Sequence, residues 1–154
     1  MKRVIFITFG LAMIFGLLIG CSFSENNQME DSQVITYSIE SGNGDYTNAE
    51  INASLFSDII YSLNPREWNF MILSPSRPVN NSTFIQVGTS PAIIDSNELT
   101  LEIAFDEKSG TRMYRYETED RDIILQYFID YWEKQQVPDI SSWEDITEEL
   151  FGTS

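Results

Sequence analysis

Between Leu99 and Phe105 every second residue is a large apolar one: Leu99, Leu101, Ile103 and Phe105 alternate with Thr100, Glu102 and Ala104. Side chains on a pleated strand point to opposite faces in turn, so this spacing makes one apolar face and one more polar face and asks for a sheet with something packed on one side. Three further segments of strand length lie nearby: Trp68 to Leu73, Thr83 to Gly88, and Thr111 to Glu117, where Met113-Tyr114-Arg115-Tyr116 alternates after Arg112. The links are short and rich in turn residues. Ser74-Pro75-Ser76-Arg77-Pro78 with Asn80-Asn81-Ser82 makes the first, Ser90-Pro91 to Asn97 the second, and Asp106-Glu107-Lys108-Ser109-Gly110 the third, in which Gly110 supplies the left-handed residue of a hairpin loop. Sequential antiparallel pairing is the expected arrangement.

Val34-Ile35-Thr36-Tyr37-Ser38-Ile39 is β-prone and is followed by the turn cluster Ser41-Gly42-Asn43-Gly44-Asp45, which predicts a short edge strand. Asn48 precedes a segment, Ala49 to Leu63, in which Leu55, Phe56, Ile59, Ile60 and Leu63 share one helical face until Asn64-Pro65 ends it. The clearest helix covers residues 119–136. There Ile123, Ile124, Tyr127, Phe128, Tyr131 and Trp132 form the apolar stripe, with Asp122, Gln126, Asp130 and Glu133 opposite. Thr118 is the predicted N-cap, acidic residues suit the positive helix start, and Pro138 stops the pattern. Ser141-Ser142-Trp143-Glu144 matches a capping box and predicts a short final helix to about Phe151. The expected fold class is α+β: an antiparallel sheet of four to five strands with helices packed on one face, forming a single domain over residues 34–154.

The chain has no histidine and one cysteine. The residue types for a Ser-His-Asp or Cys-His nucleophile, an imidazole- or thiolate-ligated zinc, or an internal disulfide are therefore missing, and no enzymatic activity or cofactor is expected. Only carboxylate, amide and hydroxyl chemistry remains.

The single cysteine, Cys21, closes a run that begins Met1-Lys2-Arg3 and continues from Val4 to Gly20 without a charge. A basic start followed by an apolar stretch has the layout of a secretory signal, and Leu18-Ile19-Gly20-Cys21 resembles the lipobox of bacterial lipoprotein precursors. That resemblance implies removal of residues 1–20 and a diacylglyceryl group on Cys21, whose two acyl chains suffice for stable anchoring. An uncleaved anchor helix is the alternative, because residues 4–20 reach the lower edge of the length that spans a bilayer. Either way the rest of the chain stands at the cell membrane on its extracytoplasmic face. Ser22 to Gln33 is polar and reads as part of a flexible tether over residues 21–33.

With Lys2 and Arg3 gone, 7 basic residues face 24 acidic ones, a balance of −17. Such a field repels nucleic acid and anionic headgroups and attracts basic proteins or cations, besides keeping the domain soluble. The densest acidic group, Glu117, Glu119, Asp120 and Asp122, falls where the last strand meets the long helix. It lacks the spacing of a calcium loop, and helix-start charge explains much of it. A calcium site or a paired-carboxylate hydrolase is the remote alternative, since nothing in the sequence gives the separation of the carboxyl groups. Among the aromatics, those of the 119–136 stripe belong to the core, whereas Trp143, set beside Asp139, Glu144 and Asp145, is the better surface candidate.

Phe84-Ile85-Gln86-Val87, Leu99 to Phe105, Tyr116-Glu117, Phe128, Pro138 and Trp143-Glu144 follow the order of elements in small immunity proteins encoded beside bacterial polymorphic toxins, which this segment resembles. The resemblance implies a non-catalytic domain that binds and blocks a basic protein partner. The expected contact is Glu117, Glu119, Asp120, Asp122, Trp143, Glu144 and Asp145. A structural or ligand-binding lipoprotein of the cell envelope is the alternative function.

Overall fold

Strand pairing organises the molecule. The computed structural model describes residues 34–64, 67, 69–89 and 97–152, all of which belong to the unit Gln33–Ser154. The expected signal segment 1–20, Cys21, the expected tether, Trp68 and most of the Ser90–Asn97 link lie outside the described residues. In chain order the elements are β1 (Tyr37–Ser41), β2 (Gly44–Tyr46), α1 (Ala53–Ser62), β3 (Phe70–Pro75), β4 (Ser82–Thr89), β5 (Leu99–Glu107), β6 (Gly110–Thr118), α2 (Arg121–Glu133), β7 (Glu144–Asp145) and α3 (Thr147–Phe151). The strands form one antiparallel sheet in the order β2-β1-β3-β4-β5-β6-β7.

This corrects the expected fold. Among the described residues the sheet has seven strands instead of four to five and dominates the domain, and the three helices are short and do not share one face. The additional strands are β2 and β7, of three and two residues, too short to leave a periodic pattern. The β-prone segment near Val34 is not an edge: β1 pairs with β2 on one side and β3 on the other, with Ile39 opposite both Tyr46 and Leu73.

The alternation of β5 sets the two faces. Leu99, Leu101 and Ile103 are fully buried together with Leu73, Ile85 and Val87 from the paired strands, and Phe56, Ile60, Ile124, Phe128 and Tyr131 of α1 and α2 close over them. The α2 stripe is centred on Ile124, Phe128 and Tyr131, while Ile123 at its margin is 37% exposed. The opposite face carries a smaller cluster, Ala104, Met113 and Ile146, with Phe84 and Leu150 beside it. Ile146 and Leu150 bring α3 onto that second face. The Ser141–Glu144 capping box does not form, because Glu144 and Asp145 pair with Arg115 and Tyr114 of β6, and α3 begins later.

Polar groups fix the joints. Both central residues of the Asn80-Asn81 loop have positive φ, 48° and 68°, and Val79 and Ser82 exchange backbone hydrogen bonds of 2.9 and 2.8 Å across it. A two-residue loop with this backbone matches the sheet twist, and asparagine adopts it more readily than most residues. In the β5–β6 hairpin Glu107 faces Gly110, whose φ of 122° suits glycine. Helix α1 is capped by Asn52, whose side-chain oxygen accepts from the Leu55 amide, whereas Asn48 accepts from the Tyr37 amide and ties β1 down. Deep in the domain the Tyr37 hydroxyl donates to the Tyr131 carbonyl at 3.0 Å, and the Tyr131 hydroxyl lies 3.0 Å from Ser82 Oγ. Burial pushes the Tyr131 phenol up to about 12, so the network is neutral at physiological pH.

Candidate functional site

The acidic residues singled out by the sequence fall into two groups with different neighbours. At the start of α2, Asp120 is the N-cap, its Oδ1 accepting from the amides of Asp122 and Ile123 at 3.0 and 3.2 Å. Thr118, the predicted cap, instead receives the Asp120 amide on its hydroxyl at 3.0 Å. Asp122 accepts from the hydroxyl of Tyr61 on α1, and this contact raises the Tyr61 phenol above its ordinary value. Glu117, at the end of β6, and Glu119 in the following turn are exposed.

The second group sits on β7. Asp145 accepts from Arg112 and from the Thr147 amide, the latter at 3.0 Å. The hydrogen bonds from Thr147, and then that from Arg112, hold the Asp145 carboxyl down at about 2. Arg112 also lies over the Tyr114 ring, its guanidinium carbon 5.4 Å from the centroid. Glu144 is exposed on the outermost strand, opposite Arg115 in the register.

Trp143 is not at the surface. It is 8% exposed, stacked on Tyr116 with ring centres 5.5 Å apart and a 20° interplanar angle, and it meets Tyr127 edge-on at 5.9 Å. Its polar neighbours misled because burial changes from one residue to the next: the indole, just before β7, turns inward onto Tyr116 and Tyr127, while Glu144 and Asp145 are exposed. The predicted contact therefore contains no aromatic anchor, and Asp120, Asp122 and Asp145 are engaged in holding α2, α1 and α3 in place. Cys21 lies outside the described residues. Among the described residues no group of three or more His, Cys, Asp or Glu side chains is arranged to hold a metal ion.

Glu144 belongs to a larger feature that the sequence did not reveal. Register partners share a face, so Glu40, Ile72, Gln86, Glu102, Arg115 and Glu144 form one row running from β1 to β7 on the face opposite the main core. Both oxygens of Glu102 are held, one by Gln86 Nε2 at 2.6 Å and the other by Arg115 Nε at 3.1 Å. Arg115 reaches on to Glu149 of α3 at 3.3 Å. Burial, the largest single effect, opposes the charge on Arg115, but the hydrogen bond to Glu102 together with the charges of Glu102, Glu149 and Glu144 raises the guanidinium above its ordinary value. The carboxylates of the row outnumber its one cation.

Compared with protein-family models, with curated proteins and with solved structures, the chain matches none of them.

Proposed function

We propose that the chain is a lipoprotein anchored through Cys21 on the extracytoplasmic face of the cell membrane, and that its domain is a non-catalytic module that binds a basic protein. The anchor rests on Leu18-Ile19-Gly20-Cys21 after an uncharged run. The observation that carries the binding function is how the carboxylates are divided. All seven are exposed, but Asp120, Asp122 and Asp145 hold the fold by accepting hydrogen bonds from Ile123, Tyr61 and Thr147, whereas Glu40, Glu117, Glu119 and Glu144 make no side-chain hydrogen bond among the described residues. Exposed carboxylates on a strongly acidic chain attract a basic surface over a distance of about 8–10 Å at physiological salt and raise the rate of encounter.

The test is capture with the full-length lipidated chain at two ionic strengths. A protein with a basic surface should be retained, with an association rate that falls as salt rises. Retention of no protein, or of partners whose binding ignores salt, contradicts the proposal. Immunity against a secreted toxin is the specific form of it favoured by the order of elements from Phe84 to Glu144, and a toxin-like reading frame beside the gene would support that form.

A further inference from the structure

The continuous apolar run Phe70-Met71-Ile72-Leu73 makes β3 apolar on both faces, the pattern of a strand covered on both sides. Met71 and Leu73 are covered by the main core and have no solvent exposure. Phe70 and Ile72 point the other way, remain half-buried, and pack into neither hydrophobic cluster among the described residues. The second cluster, with α3, lies over β5 and β6 and reaches only as far as Phe84 of β4. Small residues surround the remaining strip. Ser38 and Ser74 face each other across β1 and β3, and Gly88 stands opposite Phe70. Carboxylates flank it: Glu40 is opposite Ile72 on β1, and Glu102 lies beyond Gln86 on the other side, its two oxygens fixed by Gln86 and Arg115.

We infer that this strip, Phe70 and Ile72 between Glu40 and Glu102, is the docking surface for the partner, and that the partner presents an apolar side chain ringed by lysine or arginine. The inference rests on the proposed protein-binding function and replaces the expected contact at the α2 corner with the open sheet face. Charge complementarity selects the occupant. An anionic lipid surface or a nucleic acid would bring phosphates against Glu40 on a strongly acidic chain, and a second copy would bring acidic residues against acidic ones. A basic protein satisfies the exposed Glu40 at the rim, Glu102 being paired with Arg115, while its apolar centre removes Phe70 and Ile72 from water, the arrangement of apolar centre and polar rim found in protein interfaces. The Gln86–Glu102–Arg115 bonds hold the rim in place before binding, which lowers the cost of ordering it.

The experiment is photo-crosslinking in native cells, using the full chain with a photoreactive residue at position 72, at position 119 on the α2 corner, or at position 61 on α1. The prediction is a protein adduct from position 72 that is at least tenfold more abundant than from 119 or 61. The purified adduct partner should then bind Glu40→Lys and Ile72→Thr chains at least tenfold more weakly than wild type. Glu40 is exposed, so its reversal does not depend on tolerance of the fold, and unchanged melting temperatures should accompany both losses. A protein adduct mainly from 119 overturns the sheet-face inference while leaving protein binding standing. Lipid adducts from 72, or full affinity retained by Glu40→Lys, overturn the inference as well. The absence of a protein adduct from all three positions overturns both the inference and the proposed function.

Discussion

Arg121 Nη2 donates to the Leu63 carbonyl at 2.9 Å, and Nη1 of the same guanidinium donates to the Ile60 carbonyl, so the first residue of α2 closes the last turn of α1. Helix ends leave carbonyls without intrahelical partners, and no basic side chain of α1 itself serves them. Removing the fork by Arg121→Ala should cost about 1.5–3 kcal/mol, the range for hydrogen bonds that involve a charged group. Arg121→Lys should recover little, since an ammonium does not reproduce the planar fork. Denaturant midpoints at constant slope check both; full recovery by lysine contradicts the bidentate role.

Trp143→Ala should destabilise the domain by about 3–5 kcal/mol, as loss of a buried aromatic does. Loss of partner binding would follow only through unfolding. Equilibrium unfolding decides this, and a cost under about 1 kcal/mol would return Trp143 to the surface role its polar neighbours suggested.

The phase of α2 predicts a contrast between neighbours on one helix. Phe128, with no exposure, should cost about 3–5 kcal/mol on truncation to alanine. Ile123→Ala should stay within about 0.5 kcal/mol, because the side chain is 37% exposed. Equal costs at the two positions would contradict the packing of α2 on the sheet.

Asp145 makes a prediction about pH. Its carboxyl, held at about 2 against an ordinary 3.8, is ionised more readily in the folded chain. Its contribution to stability is thus present above about pH 4 and disappears as pH falls toward about 2. The difference in melting temperature between wild type and Asp145→Asn should be largest near neutrality and vanish at the acid end. A difference that grows on acidification reverses the sign and contradicts the hydrogen bonds from Thr147 and Arg112.

How much of this was legible in the sequence depended on how local each cause was. The alternation of β5 and the stripe through Ile124, Phe128 and Tyr131 record which face is buried, so these elements could be read from their own residues. The Asn80-Asn81 turn and Gly110 were legible for the same reason. What was lost depends on partners distant in sequence. β1 lies inside the sheet because β3, beyond α1, pairs with it. Glu144 left its capping box because the Arg115 edge of β6 offered a ladder. The surface position expected of Trp143 was lost for that reason, and the row from Glu40 to Glu144 went unseen because its strands are separated by about a hundred residues. Only the unbroken run Phe70 to Leu73 hinted that β3 has two apolar faces.

The central claim, a protein-binding domain held at the membrane by Cys21, is tested most directly by metabolic labelling with a fatty acid, followed by the mass of the mature chain. Wild-type protein should incorporate the label and lack residues 1–20. Cys21→Ser should take up none and keep the whole segment. An unlabelled wild-type chain that still begins at Met1 would contradict the lipid anchor and leave the uncleaved apolar run as the attachment.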